Sequence, residues 1–352
     1  ETSFTQTYRY RHGYYDHEER EFRGFGYVET LDMDTAIVSD HAELDQPPVL
    51  TKTWYHTGAW IRKGTLLEQF KKEYYQFEGW DDVMKIADFP TGMKAQEQRE
   101  AYRALKGLPL RQEVYAKDGT ALQDIPYTVT ASAYTVERVQ SLKGNRFACF
   151  FTHPQQSIVF NCERDADDPR IVQDLTLETD AYGNVLQSAQ VVYPRKHTPA
   201  VSASYPQKVE DEQLKMHLTY SQNSFTNDVI DQPSLMHHYR LRLPYEAKSF
   251  ELLGLAVPTG LWTADSLLDE LASITSTIDF SAAASGGKEK RLLSHTRTLY
   301  KDNDVSVTPL ALGTIESLAI PHEQYQLAFT GSLLTHCYGT HVTSAMMEDT
   351  VA

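Results

Sequence analysis

The sequence Q-D-L-T-L-E-T-D-A-Y-G-N-V-L-Q-S-A-Q-V-V-Y-P-R, residues 173–195, contains two alternating runs of apolar and polar residues around D-A-Y-G-N. Period-two alternation predicts β-strands, and the four residues from Asp180 to Gly183 match a type I turn with Asp first and Gly last. Gly183 can adopt the left-handed conformation that a following bulge requires, which pairs Asp180 with Asn184. The stretch therefore predicts an antiparallel hairpin with one fairly apolar and one polar face.

A second hairpin is predicted where E-V-Y-A precedes K-D-G-T and A-L-Q follows it, because Asp118-Gly119 is a strong short-range hairpin signal. An isolated two-stranded ribbon is only marginally stable in water. The hairpins are therefore expected to lie side by side in a larger sheet, which makes the predicted fold mainly β. The 21 Tyr and 14 Phe residues favour strands in the same way.

The stretch F-A-C-F-F-T-H-P-Q-Q-S-I-V-F-N-C, residues 147–162, is interpreted as a further hairpin that turns between Gln155 and Gln156. This arrangement places Cys149 opposite Cys162, where either a cross-strand disulfide or two buried free thiols would be compatible with the pattern. Three cysteines in 352 residues fit neither a disulfide scaffold nor a zinc site.

Helical patterns occur in few places and are expected to be peripheral. Residues 91–109 contain good helix formers, with an exit at Gly107 and a stop at Pro109. A second helix is predicted near 263–275, with Thr263 as its N-cap. The Pro-bearing stretch 194–206 is predicted to be a linker between a strand-rich segment 1–193 and a second strand-rich segment 207–352, in which K-M-H-L-T-Y and H-H-Y-R-L-R-L suggest strands.

The formal net charge of −15 makes nucleic acid and anionic lipid unfavourable partners. No apolar run approaches the roughly 18 residues of a membrane span, and no signal peptide is evident at the first residues. These observations predict a chain that binds no nucleic acid and has no membrane span.

Candidate catalytic and metal-binding patterns are incomplete. Three groups of residues resemble metal sites but lack the required spacing or partners: His12 with Asp16, His17, Glu18 and Glu19; Asp165 with Asp167 and Asp168; and His237 with His238. Neither G-x-S-x-G nor a P-loop is found. No catalytic, cofactor-binding or metal-binding residue is therefore predicted, and the named sites are the structural turns at Asp118, Gly119, Asp180, Gly183 and Asn184.

Three blocks of the sequence resemble a known family. These blocks are Y-R-Y-R-H-G-Y-Y-D-H-E-E-R-E-F-R-G-F-G, then E-R-D-A-D-D-P-R followed by D-A-Y-G-N-V-L, and then H-H-Y-R-L-R-L-P with L-G-T-I-E-S-L-A-I-P-H-E-Q-Y-Q-L-A-F-T. In content and order they are similar to the middle and later region of the B component of tripartite insecticidal (Tc) toxin complexes. The resemblance extends from residue 8 to about residue 330.

The resemblance implies a fragment of a secreted bacterial toxin subunit without enzymatic activity. In that family the B component joins the C component in a hollow β-shell of the Rhs, or YD-repeat, kind, which encloses the toxic part of the C component. Another part of the B component docks on the pore-forming A component. The hairpin at Asp180 would then be part of the shell wall.

Two alternatives come from other functional classes. A secreted carbohydrate-binding or receptor-binding β module is suggested by aromatic residues between Trp54 and Trp80, which could stack on sugars; they are Trp54, Tyr55, Trp60, Tyr74, Tyr75 and Trp80. An ADP-ribosyltransferase or hydrolase rests only on the association of toxin complexes with such activities, because no matching site is found in the sequence.

Overall fold

The computed structural model describes residues 4–34, 47–61, 63–77, 87–196, 211–230 and 239–348. Within these ranges the chain forms a mainly antiparallel, unclosed sheet of 14 strands. The strands are β1 (Phe4–Asp16), β2 (Glu21–Asp34), β3 (Val49–Tyr55), β4 (Ala87–Asp88), β5 (Pro109–Ala116), β6 (Thr128–Gln140), β7 (Cys149–Asn161), β8 (Arg170–Thr179), β9 (Val185–Val192), β10 (His217–Phe225), β11 (Pro244–Leu253), β12 (Ser276–Ile278), β13 (Glu289–Tyr300) and β14 (Pro321–Gln326). The helices are α1 (Lys63–Glu73), α2 (Ala95–Ala104), α3 (Ala264–Ser273), α4 (Gly331–Tyr338) and α5 (Ser344–Glu348). The predicted mainly β class with a few helices is confirmed.

The chain divides into two compact units. Unit 1 comprises residues 1–174 and 192–216, and unit 2 comprises residues 175–191 and 217–352. The predicted linker 194–206 falls largely on residues outside the described ranges, so the three-part division made from the sequence stays a prediction.

Unit 1 is a meander in which β1, β2, β3, β5, β6 and β7 pair in that order. Its first core lies where α1 covers the sheet, with Tyr27, Trp54, Phe70 and Leu110 buried together. Leu66, Leu67 and Phe70 lie at helical spacing, which explains why α1 forms and which face it buries. This helix was not predicted from the sequence.

A second core of unit 1 lies under α2, which buries Ala101 and packs with Leu105 against β6. The predicted helix over 91–109 is therefore confirmed in a shorter form. The carboxylate of Glu97 accepts a hydrogen bond from the backbone N–H of Lys94 at 3.0 Å, which satisfies a free donor at the helix start. Gly107 has φ of 84°, a conformation that suits the chain just past a helix end.

Unit 2 contains β10, β11 and β13 as an antiparallel set, with β12 and β14 added beside β13. The hydroxyl of Thr263 accepts a hydrogen bond from the backbone N–H of Ser266 at 3.1 Å, so the predicted N-cap of α3 is confirmed. The predicted strand at K-M-H-L-T-Y is β10. The predicted strand at H-H-Y-R-L-R-L is wrong for its described part, because Arg240 forms only an isolated bridge with Val229.

The hairpin predicted for residues 147–162 is also wrong. Cys149 to Asn161 form one continuous strand that pairs with β6 along its length, and a bulge between Ala133 and Tyr134 lies beside Pro154. Proline lacks a backbone N–H, and a bulge accommodates it within a strand. Cys149 is exposed, Cys162 is buried and both are free thiols. Burial raises the pKa of Cys162 to about 12, which keeps this thiol protonated.

Gly254 directly follows β11 and has a conformation that only glycine can adopt without strain. Its φ is 73°, and a Cβ atom at this position would lie 2.1 Å from the carbonyl oxygen of Gly287. Because backbone cannot move aside as a flexible side chain can, Gly254→Ala should destabilise unit 2 by more than about 2 kcal/mol. Urea unfolding of the variant measures the effect.

Gly260→Ala is the matched control for this prediction. Gly260 has no atom within 4 Å of an added Cβ and no positive φ. The Gly260→Ala variant should therefore unfold at nearly the same urea concentration as the wild-type protein. Equal unfolding midpoints for the two variants would contradict the close approach of Gly254 and Gly287.

Candidate functional site

The turn between β8 and β9 is closed by two backbone hydrogen bonds. The N–H of Asp180 donates to the carbonyl of Asn184 at 3.0 Å, and the N–H of Gly183 donates to the carbonyl of Asp180 at 2.9 Å. Gly183 has φ of 80°, the left-handed conformation of a residue in a bulged turn. On the strands, Leu175, Leu177 and Ala189 are buried.

The carboxylate of Asp180 accepts hydrogen bonds from four donor groups. One oxygen accepts hydrogen bonds from the backbone N–H groups of Tyr182 at 2.9 Å and Asn184 at 3.0 Å. The other accepts from the Asn184 side chain at 3.0 Å and from Arg242 at 3.2 Å. Burial opposes ionisation of Asp180, but these hydrogen bonds and Arg242 outweigh it and lower its pKa.

Arg242 joins the turn to a second aspartate. Its guanidinium donates to the two carboxylate oxygens of Asp228 at 2.6 and 3.1 Å, and its backbone N–H donates to the same side chain at 2.9 Å. The guanidinium also lies over the Tyr182 ring, 4.9 Å from the ring centre. The hydrogen bonds from Arg242 lower the pKa of Asp228. One arginine thus connects the hairpin turn with the chain after β10.

Asp118 and Gly119 lie in a connection of residues 117–127. This connection is longer than the tight hairpin turn predicted from the sequence. The stretch A-L-Q, which was predicted to be a strand, forms turns. β5 and β6 do pair as antiparallel neighbours. The carboxylate of Asp118 accepts two hydrogen bonds from the Arg164 guanidinium, at 2.6 and 3.0 Å. The Arg164 hydrogen bond is the largest cause of the lowered pKa of Asp118.

A third pair completes the pattern within unit 1. Asp168 accepts hydrogen bonds from the Arg195 side chain at 3.1 Å and from the backbone N–H of Lys196 at 2.8 Å. Asp168 is buried. In each of the three pairs an aspartate in a turn or loop binds an arginine between 27 and 62 residues later in the chain.

Comparisons with known proteins place this geometry in a family. The sequence model of the insecticide toxin TcdB middle/N-terminal region matches residues 1–58, and that of the TcdB middle/C-terminal region matches residues 100–237. The chain superimposes on the TcdB2–TccC3 crystal structure with a TM-score of 0.79 and 27% identity, over 99% of this chain and 16% of that one. The chain belongs to the B components of insecticidal Tc toxin complexes.

Further solved structures agree with this assignment. TcdB2–TccC3 without its hypervariable C-terminal region gives a TM-score of 0.76 at 26% identity, and the Photorhabdus luminescens Tc holotoxin pore gives 0.73 at 27%, each over 99% of this chain and 16% of that one. The B-component chain therefore spans about one sixth of the length of these structural relatives. No curated protein matches the chain significantly by sequence.

Three of the sequence stretches that carry the family resemblance contribute residues to these ion pairs. D-A-Y-G-N provides Asp180, and H-H-Y-R-L-R-L-P provides Arg242. The block L-G-T-I-E-S-L-A-I-P lies against the same region of unit 2, because the backbone N–H of Ile315 donates to the side-chain oxygen of Asn227 at 2.8 Å. In E-R-D-A-D-D-P-R, Arg164 and Asp168 bind partners on other segments. Sequence reasoning missed the arginines, since a lone arginine far from its partner gives no local signal.

Two of the candidate metal-binding residues considered from the sequence pair with other side chains of the B-component chain. The His12 side chain hydrogen-bonds Glu73 at 2.8 Å, and Asp16 pairs with the buried Arg23 at 2.7 Å. Among the described residues no group of histidine, cysteine and acidic side chains could hold a metal ion. His237 and His238 lie outside the described ranges. In the described part of the chain no helix is long and apolar enough to cross a membrane.

Two of the aromatic residues suggested for sugar binding, Trp54 and Tyr74, pack in the first core of unit 1. Trp54 is fully buried and packs edge-on against Tyr74 at 4.9 Å between ring centres. Burial raises the pKa of Tyr74, as expected for a phenol removed from water. Trp80 lies outside the described ranges. The rings of Trp54 and Tyr74 therefore stabilise the protein interior.

Replacing Arg242 with lysine tests the connection in unit 2. Lysine keeps the positive charge but loses the planar fork that reaches Asp180 and Asp228 together. Arg242→Lys should therefore lower the free energy of unfolding by about 1 to 2 kcal/mol, measured by urea denaturation. Arg9→Lys is the control, because Arg9 is largely exposed and makes one 3.4 Å contact with Glu29. If Arg9→Lys lowered the free energy of unfolding as much as Arg242→Lys, the loss of the planar Arg242 guanidinium would not be the cause of the destabilisation.

Acid should weaken unit 2 through Glu246 on β11. Burial raises the pKa of this carboxyl, but hydrogen bonds from Arg297, His295 and Lys248 outweigh it and lower the value from 4.5 to about 2. A carboxylate with a lowered pKa stabilises the folded state fully above the unfolded value. This stabilisation is lost as pH falls from about 4.5 towards 2.

Glu246→Gln removes the titrating group and should reduce the slope of unfolding free energy against pH between about 4.5 and 2. Denaturant melts at several pH values measure the slope. The control Glu68→Gln changes a glutamate whose side chain is 67% exposed and should retain the wild-type slope. An unchanged slope in Glu246→Gln would show that other groups determine the acid response.

Proposed function

We propose that this chain is a wall segment of the β-shell that a B component builds with its C component, and that this shell encapsulates and delivers a cytotoxic effector. The observation that carries the proposal is the match of 99% of the chain to a B component solved together with a C component. The mainly antiparallel, unclosed sheet supports it, because a strip of paired strands is what a curved wall requires.

The ion pairs explain how such a wall keeps its hairpins in place. A hairpin turn at a sheet margin is held only by its own strands unless a longer-range contact fixes it. Asp180 is fixed by Arg242, and the connection at Asp118 is fixed by Arg164. Both arginines make several charge-assisted hydrogen bonds, which specify orientation as well as attraction. The role of these residues is therefore structural, and the chain acts without an enzymatic step of its own.

The partners follow from the same assignment. The C component supplies the rest of the shell and its cargo, and the pore-forming A component is contacted through another part of the parent protein. The holotoxin pore among the structural relatives supports this second partner. The complex is secreted and acts as a virulence factor, and its function requires neither nucleic acid nor a membrane-spanning helix in the described part of this chain.

The test is to co-express the full-length protein with its C component, purify the complex and image it by electron cryo-microscopy. Residues 1–352 should form part of the wall of a closed hollow shell with density inside. A C component lacking its C-terminal toxic part is the control, and its complex should keep the wall but lose the internal density. A compact particle without a cavity would overturn the proposal.

A further inference from the structure

Helix α2 contacts two hairpins of unit 1 that are not neighbours in the sheet. One contact is with the turn between β1 and β2, residues 17–20, and the end of β2 that follows it. The other is with the connection between β6 and β7, residues 141–148. Strands β3 and β5 lie between these two hairpins in the sheet order. The helix therefore links parts of the unit that the sheet itself does not join directly.

The contact with the β1–β2 turn is a network of ion pairs in which α2 and the residues after it supply the bases. The Arg99 guanidinium lies 2.8 Å from the Glu19 carboxylate, and the Lys106 ammonium lies 2.9 Å from the Glu21 carboxylate. The full set is Arg99 with Glu18 and Glu19, Arg103 with Glu19 and Glu21, and Lys106 with Glu21.

The contact with the β6–β7 connection has the opposite polarity, because here α2 supplies the acids. The Glu97 carboxylate accepts a hydrogen bond from the backbone N–H of Leu142 at 3.1 Å, and that of Glu100 accepts from the backbone N–H of Ala148 at 2.7 Å. Glu97 also lies 3.3 Å from the Arg138 guanidinium on β6. An ionised carboxylate accepts such bonds more strongly than a neutral carboxyl group. Both contacts of α2 thus depend on carboxylates.

The apolar contacts of α2 are small by comparison. Of its ten residues only Glu97 and Ala101 are buried, and Leu105 is buried just after the helix end. Helix α1 in the same unit buries the much larger Phe70. A helix of ten residues is marginal in water without tertiary contacts. The carboxylate contacts therefore account for a large part of what holds α2 in place.

Acid weakens these contacts. The hydrogen bond from Lys106 is the largest cause of the lowered pKa of Glu21, and the hydrogen bond from the Leu142 N–H is the largest cause of the lowered pKa of Glu97. A carboxylate with a lowered pKa stabilises the folded state fully above its unfolded value of about 4.5, and this stabilisation is lost as pH falls below that value.

The other charged groups around the helix reinforce the effect of acid. Buried Asp16 pairs with Arg23 at 2.7 Å and accepts hydrogen bonds from the backbone N–H groups of Glu18 and Glu19, which shapes the turn. Bases keep their charge in acid and repel one another once the carboxylates are neutral. Those on or beside α2 are Lys63, Lys94, Arg99, Arg103, Lys106 and Arg138.

Two histidines also lie in this region. His17 is in the β1–β2 turn, with its ring edge-on to Tyr15. The backbone carbonyl of His56 accepts from the N–H of Gly107 after α2, and burial lowers the pKa of His56 to about 3. A buried neutral histidine of this kind also weakens the folded state in acid. Tests of the carboxylates therefore need a comparison at constant pH.

We propose that α2 is an acid-sensitive clasp: carboxylates hold it on the β1–β2 turn and on the β6–β7 connection, and their protonation releases it from both while the sheet stays folded. Release uncovers the apolar side chains beneath it, Ala101, Leu105, Tyr134 and Val136. The clasp lies within unit 1 and does not rest on the proposed wall function.

Hydrogen exchange of the full-length protein, followed by mass spectrometry, tests the proposal. Exchange is measured at pH 7 and at about pH 4, and each rate is corrected for the chemical exchange rate of a free amide. Peptides from residues 95–106 should lose protection about tenfold in acid, whereas peptides from β5 and β6 should keep theirs. Simultaneous loss of protection in α2 and β6, or no loss in α2, would overturn the proposal.

Neutral variants should reproduce the acid state at pH 7, where the histidines are in the same state as in the wild-type protein. Glu19→Gln with Glu21→Gln weakens the turn contact, and Glu97→Gln with Glu100→Gln weakens the contact with the β6–β7 connection. Each pair should speed exchange in α2 about tenfold and leave β5 and β6 protected. Wild-type exchange in both double variants would contradict the clasp. If the Glu97 and Glu100 variant does not fold, the turn variant alone decides.

Asp124→Asn is the matched control. It removes an ion pair of unit 1 with Lys117, at 2.8 Å, which involves neither α2 nor its two contacts. Exchange in α2 should stay at the wild-type rate, and an acceleration equal to that of the double variants would refute a specific clasp.

The variant with all four glutamates replaced separates the carboxylates from His56. Its α2 exchange should accelerate little further between pH 7 and about pH 4, because the titrating carboxylates are gone. An acceleration as large as in the wild-type protein would assign the acid response to His56 and overturn the proposal.

Discussion

The structure of this chain depends on aspartates in turns that bind arginines distant in sequence. A type I turn with a bulge forms from local sequence alone, but a two-stranded hairpin gains little stability by itself. Asp180 uses its carboxylate first to close its own turn and then to bind Arg242. Because the guanidinium is planar and carries several donors, it contacts Asp180 and Asp228 at the same time. The aspartate that closes the local turn thereby also makes a tertiary contact.

Unit 1 contains a more deeply buried carboxylate, which joins neighbours on its own strand to a segment distant in sequence. Glu113 on β5 is fully buried, and its carboxylate accepts hydrogen bonds from Arg111 at 2.7 Å, from the Tyr115 hydroxyl at 2.7 Å and from the backbone N–H of Tyr75 at 2.8 Å. A buried charge is tolerated only when it is paired and hydrogen-bonded, so these contacts must form together. Tyr75 lies two residues after the end of α1, and the carboxylate therefore fixes the chain that leaves this helix on the sheet.

Features that depend on neighbouring residues could be predicted from the sequence. Features that depend on residues distant in the chain could not. Gly183 and Thr263 were identified because turn and cap geometries depend on a few neighbouring residues. A hairpin was wrongly predicted at 147–162 because Gln155-Gln156 is polar and follows Pro154, and many turns contain polar residues after a proline. The strand passes straight through, since β6 supplies a partner along its whole length and a bulge accommodates the proline. Sequence pattern alone contains no information about that partner, or about the arginine that Asp180 binds.

The exposed side of the β1 and β2 hairpin is easier to understand for a wall segment than for an independent domain. Tyr10, Phe22 and Phe25 are each at least 40% exposed, and their rings form a continuous group with centres 4.9 and 5.3 Å apart. Adjacent exposed aromatic side chains on a long strand favour association, and independent domains usually avoid them. In a wall, such a surface has neighbours or faces an enclosed space. The proposed wall function thus gives the aromatic group and the unclosed sheet one common explanation, a strip of strands that other polypeptide would complete.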